Sequence, residues 1–148
     1  MPCAPSPVPR PWPVPLPWAE TLGATLHLWQ DGHAEVRLAL QAGQHNSWQV
    51  AHGGVLMSLL DIAMAQAARS RHPLSPGVVT LEMKTSFLQA ARGGLRAQAR
   101  VLHATATLDF CEARLLDADG RLCASASGTF QHLRALPPRR QRAGDPPS

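Results

Sequence analysis

From Gly54 to Arg69 the chain runs sixteen residues with no proline and, after Gly54, no glycine. Good helix formers fill most of these positions, so the segment predicts a helix roughly 24 Å long. Leu56, Met57, Leu59, Leu60, Ile62, Ala63, Met64 and Ala67 distribute apolar groups around nearly its whole circumference. A helix of that kind must be covered on most sides. Trp18 to Leu22 offers no more than a short helical turn. Strands therefore have to supply the cover.

The remaining chain is patterned for strands. Thr25–Trp29 and Glu35–Leu40 flank Asp31-Gly32, a hairpin signal because both residues tolerate positive φ. A polar loop from Gln41 to Gln49 then leads into His52-Gly53-Gly54. After the turn His72–Gly77 come Val78–Gln89, Leu95–Ala104, Leu108–Leu116 and Leu122–His132. Leu81, Met83, Thr85 and Phe87 alternate with Glu82, Lys84 and Ser86, the two-residue period of strands half buried in an antiparallel sheet. Two strands, one apolar helix and four strands predict an α+β domain whose curved antiparallel sheet wraps the helix.

Proline sets the boundaries of that domain. Eight of the fourteen prolines occupy alternate positions near the start, at 2, 5, 7, 9, 11, 13, 15 and 17, and four more lie at 137, 138, 146 and 147. An X-Pro repeat lacks every second backbone donor, so residues 1–17 are expected as an extended arm. The folded domain is expected over residues 18–136, followed by a disordered basic tail at 137–148.

The net charge of +4 suggests nucleic acid until it is located. Arg10, Arg139, Arg140 and Arg142, set against Asp145, account for +3 of it. No aromatic and basic residues interleave, so no nucleic-acid partner is expected. No apolar run reaches about 18 residues, so no membrane span is expected. Prolines interrupt any leader-like stretch, and Cys3, Cys111 and Cys123 are odd in number, which points to a cytoplasmic protein with free thiols. Cys111 and Cys123 could face each other across a hairpin, but buried free thiols are the commoner arrangement. His27, His33, His45 and His103 lack ligand spacing, so neither metal nor cofactor is expected.

One residue breaks the apolar helix. Asp61 sits among Leu59, Leu60, Ile62 and Met64, where an unpaired carboxylate costs several kcal/mol. The Gly53-Gly54 pair weakens a helix start unless backbone must approach something closely. Free amides there, at the positive end of the helix dipole, can stabilise charge growing on a carbonyl oxygen. A partly desolvated Asp61 could act on water or attack directly. Residues seven apart nearly eclipse on a helix, which sets Asp61 two turns from Gly54 rather than at the mouth. Each residue also has an ordinary structural use: Asp61 as a paired buried acid, His52 as a cap, Asn46 as a turn former.

The segment Asn46 to Asp61, with His52-Gly53-Gly54 and an acid nine residues after the histidine, resembles the signature of hotdog-fold acyl-CoA thioesterases. It is most similar to the phenylacetate-pathway (PaaI-like) and 4-hydroxybenzoyl-CoA thioesterase group. The resemblance extends from about Leu22 to Leu133. It implies that the Gly53 amide polarises the thioester carbonyl and that Asn46 assists it or orients water. It also implies that Asp61 is general base or nucleophile across a dimer interface, that Thr80 holds water near the acid, and that His52 shapes the helix mouth. Gly54 joins the substrate-binding set, and Arg92, Arg96 and Arg134 are candidate partners for coenzyme A phosphates. A homodimer or a homotetramer built as a dimer of dimers follows from the same likeness. A hotdog hydratase or dehydratase and a non-catalytic acyl-CoA-binding domain are the alternatives.

Overall fold

The computed structural model describes residues 4–135. Cys3 and the expected tail at 137–148 lie outside the described residues. A short helix α1 (Pro17–Leu22) precedes β1 (Thr25–Gln30) and β2 (His33–Ala39). A 3-10 turn, Ala42–Gln44, leads to the central helix α2 (Gly53–Ser70). Then follow β3 (Val78–Phe87), β4 (Gly94–Ala104), β5 (Leu108–Leu116) and β6 (Leu122–His132). Each element lies within two residues of its sequence expectation. Within the polar loop before α2, Gln44 Oε1 accepts from Gln41 N–H at 2.9 Å and closes the start of the 3-10 turn.

All strand pairs are antiparallel, in the order β1-β2-β4-β5-β6-β3. Strand β3 pairs with β6 rather than with its chain neighbour β4, so it forms one edge while β1 forms the other. The sheet curves around α2, and small residues on its inner face let it approach the helix. Ala97, Ala99, Ala113, Ala124, Ala126 and Gly128 are all on or near the core side, the alanines at most 7% exposed. Leu59, Leu60, Ala63 and Met64 of the helix are fully buried against this surface. At Gly128 the approach is closest: an added Cβ would lie 3.0 Å from the Glu82 carbonyl oxygen and 3.3 Å from Met64 Cε.

The two edges are treated differently. Along β1, Ser6 N–H donates to the His27 carbonyl at 2.9 Å and Arg10 N–H to the Leu26 carbonyl at 2.7 Å. These donors come from the positions between prolines, the only ones with an N–H to give. Trp12 and Leu16 then pack against the core. The arm thereby covers the β1 edge, while β3 has no strand beyond it among the described residues.

Cys111 stands opposite Gly128 in the β5–β6 register, not opposite Cys123, and both thiols are free and buried. Burial pushes the Cys111 thiol up to about 12, which leaves it an unreactive core residue. No helix among the described residues is long and apolar enough to cross a membrane.

Candidate active site

The start of α2 is assembled from three neighbouring pieces of backbone. His52 N–H donates to the Gln44 carbonyl at 2.9 Å, which ties the helix entrance to the 3-10 turn. His52 is the N-cap, and its Nδ1 accepts from Gly54 N–H at 2.9 Å. A ring nitrogen that accepts carries no proton, so in this contact Nδ1 is the unprotonated nitrogen of the ring. This corrects the expectation of two free amides. Gly54 N–H is occupied by the cap, and Gly53 N–H is the one without a protein acceptor among the described residues. The Phe87 ring lies beside Gly53, 3.5 Å from where a Cβ would stand.

Asn46 shapes the loop in front of this amide. Its Oδ1 accepts from Trp48 N–H at 2.9 Å and from Val50 N–H at 3.3 Å, an Asx turn that uses the side-chain oxygen for the fold. Asn46 Nδ2 remains as the group that could meet a ligand. Gln49 takes a left-handed conformation (φ 59°), which turns the chain back toward the helix. A cavity of about 410 Å³ opens between this loop, Gly53 and the chain that follows β3. Its walls are Trp48, Val50, Leu56, Phe87 and Leu88, with Asn46 and Gln89 as the polar side chains.

Asp61 lies two turns along α2, half-buried, and accepts a 2.8 Å hydrogen bond from Thr80 Oγ1. Burial pushes its carboxyl above the ordinary value, and the Thr80 hydroxyl pulls the other way by stabilising the carboxylate. Strict alternation along β3 would put Thr80 on the outer face with Glu82 and Lys84. The register shift between Thr80 and Glu82 turns it inward, opposite Phe130, and leaves Leu81 as the extra residue. A bulge beside a reactive group is a common way to re-aim a side chain.

The structure thus joins Thr80 to Asp61 and groups Asn46, His52, Gly53 and Gly54 at the helix mouth. Asp61 does not line the mouth cavity of its own chain. The three arginines do not converge. Arg92 donates to the Gln49 carbonyl at 3.3 Å behind the mouth loop. Arg96, in β4, stands opposite Leu116 near the β5–β6 turn. Arg134 follows β6 next to Leu133, whose N–H bonds Gly77, at the far end of α2. Trp48, Phe87 and Leu88 join the site without having been expected there. A tryptophan in an otherwise polar loop was the available signal for the first.

An amide aimed at a cavity and a partly desolvated acid are the parts needed to split an activated carbonyl compound, and the comparisons agree in kind. Residues 49–124 match the model of the thioesterase superfamily. A Pseudomonas aeruginosa protein named as an inferred esterase is 38% identical over 109 residues, covering 70% of this chain and 79% of the relative. Among solved structures, a conserved protein of Pseudomonas aeruginosa superposes with a TM-score of 0.77 at 38% identity, covering 82% of this chain and 97% of the other. The E. coli PaaI protein of the phenylacetic acid degradation operon superposes with a TM-score of 0.73 at 25% identity, covering 78% and 83%. The chain belongs to the thioesterase superfamily. It has the hotdog fold and is a thioester hydrolase of the PaaI-like type.

Proposed function

We propose that this hydrolase acts on acyl-CoA thioesters with aromatic or medium-chain acyl groups, as a homodimer or a dimer of dimers in the cytoplasm. Asp61 of one protomer serves the helix mouth of its partner. The observation that carries this reading is the separation of the two working groups: Gly53 offers an amide with no acceptor among the described residues, while Asp61 sits two turns away outside that cavity. A second copy brings them together when β3 pairs with β3 of the partner. Antiparallel pairing of the two strands would set the Thr80 end of one near the Phe87 end of the other. Phe87 lies beside Gly53 and Thr80 holds Asp61, contacts within one chain that support a composite site of this kind.

In this mechanism the thioester carbonyl oxygen takes the Gly53 N–H, with Asn46 Nδ2 as a further donor. Asp61 removes a proton from water as the oxygen attacks the carbonyl carbon. The carbon–sulfur bond then breaks, and the thiolate recovers the proton to give free acid and coenzyme A. Direct attack by Asp61, forming an anhydride that water opens, uses the same geometry. Arg92, Arg96 or Arg134 would meet the coenzyme A phosphates, Arg134 from the partner's side of the dimer.

Replacement of Asp61 by Asn tests the reading. Turnover of acyl-CoA, followed by thiol release, is expected to fall by at least about 100-fold while circular dichroism is unchanged. Undiminished turnover removes Asp61 from the mechanism.

A further inference from the structure

The cavity at the helix mouth has a composition that discriminates between the two halves of a thioester, and the following rests on the hydrolase reading above. A carbonyl bound at Gly53 N–H directs one of its two substituents into this cavity. The pantetheine side carries two amides and leads to phosphates, so it needs donors, acceptors and cations. The described lining contains no charged side chain. Its two polar side chains are partly committed to the fold, Asn46 Oδ1 to Trp48 and Val50 N–H, and Gln89 Nε2 to the Leu122 carbonyl at 3.1 Å. What remains is apolar: Val50, Leu56, Phe87, Leu88 and three alanines, with Trp48 at the rim. Burying a polar linker there would leave its amides unpaired, a loss an apolar acyl group does not incur.

Trp48 is 80% exposed, more than any other large apolar side chain among the described residues except Leu74 in the turn after α2. Its position is nevertheless held. The Asx turn at Asn46 fixes its N–H, the left-handed Gln49 follows it, and Arg92 clamps the Gln49 carbonyl. A rigid loop that presents an indole beside an apolar cavity serves as a wall awaiting a flat or aliphatic surface.

We propose that Trp48 is the specificity-determining residue of this enzyme, closing an acyl pocket that accepts uncharged aromatic or aliphatic groups and rejects acyl groups ending in a carboxylate. An uncharged aromatic or aliphatic acyl group gains area and ring-edge contact from the indole, whereas an acetyl group is too short to reach it. A terminal carboxylate would lose its hydration against a lining that offers no cation.

The test measures kcat/KM for phenylacetyl-, hexanoyl-, acetyl- and succinyl-CoA by thiol release, with the full chain and its Trp48→Ala and Trp48→Phe variants. Trp48→Ala is expected to lower kcat/KM about 10-fold or more for phenylacetyl- and hexanoyl-CoA, and less than about 2-fold for acetyl-CoA. Trp48→Phe should recover most of the loss. The unsubstituted protein should prefer hexanoyl- over succinyl-CoA by about 100-fold or more. An equal fall for all four substrates, with or without a change in sedimentation, would assign Trp48 to the coenzyme side or to a subunit contact and overturn the proposal. So would no fall at all, or succinyl-CoA turning over as fast as hexanoyl-CoA. If the unsubstituted protein releases no thiol from any substrate, the acyl-CoA reading fails first and the Trp48 assignment with it.

Discussion

Burial and one neighbour act on the charge of Asp61 in opposite senses. Burial disfavours the carboxylate and raises its pKa, while the 2.8 Å bond from Thr80 Oγ1 favours the carboxylate and lowers it. In its proposed role as base Asp61 works only when unprotonated, so kcat/KM should fall as pH drops through this raised value. Thr80→Val deletes the stabilising bond and leaves the burial, so the carboxyl should titrate still higher. The acidic limb of the pH–kcat/KM profile is therefore expected to move to higher pH in Thr80→Val, with the plateau lowered about 10-fold. An unmoved limb, or one displaced to lower pH, would show that Thr80 does not act on Asp61. The acid and its spacing from the glycines were legible in the sequence, because a carboxylate among leucines is chemically conspicuous. The direction of Thr80 was not. Alternation sends it to solvent, and only the extra residue Leu81 turns it to the helix.

Among the elements, α2 is the one whose start the proposed mechanism uses. Its first turn contains two glycines and no acidic residue, so its stability depends on the His52 cap. His52→Ala should cost about 1 kcal/mol in urea denaturation, and His52→Asn, a good cap itself, should restore most of it. Equal losses in both variants would mean that the ring contributes by packing rather than by accepting from Gly54. The existence of the helix and of the first hairpin was readable, since a proline-free apolar run and an Asp-Gly turn are local signals. The cap pairing was less so. A histidine before Gly-Gly can cap, pack or face a ligand, and backbone geometry decides that Nδ1 takes the Gly54 amide. Farther along, Asp109 is fully buried at the opposite end of the sheet, where Arg71 Nη1 at 2.7 Å and His132 Nε2 at 2.9 Å converge on it. That cluster joins the end of α2 to β5 and β6. It drew no attention in the sequence because its members lie 38 and 23 residues apart from the aspartate.

At the scale of the molecule, the two sheet edges differ. The arm closes β1, while β3 exposes Val79, Leu81 and Phe87 along its length, Leu81 by 52%. An unpaired edge carrying apolar side chains invites a second strand. Leu81→Lys puts a charge on that edge without touching the core, and lysine is a residue that blocks edge pairing. The variant is expected to sediment as a monomer with unchanged circular dichroism and to lose at least about 10-fold in turnover, because each site would lack its partner's acid. A dimeric and active Leu81→Lys would sink the β3–β3 arrangement.

The amino-acid sequence by itself determined the inventory: one apolar helix, six strands, a glycine-rich helix start, an acid two turns in, and an arm that can bond only at the positions between prolines. These follow from period, propensity and the donors each residue possesses, all of which are properties of short segments. Tertiary structure decided what no short segment contains. Strand β3 had to pair with β6 to become an edge, the bulge at Leu81 had to turn Thr80 inward, and the loop of Trp48 had to meet the end of β3 to enclose a cavity. Each depends on residues distant in the chain competing for the same space and the same backbone hydrogen bonds.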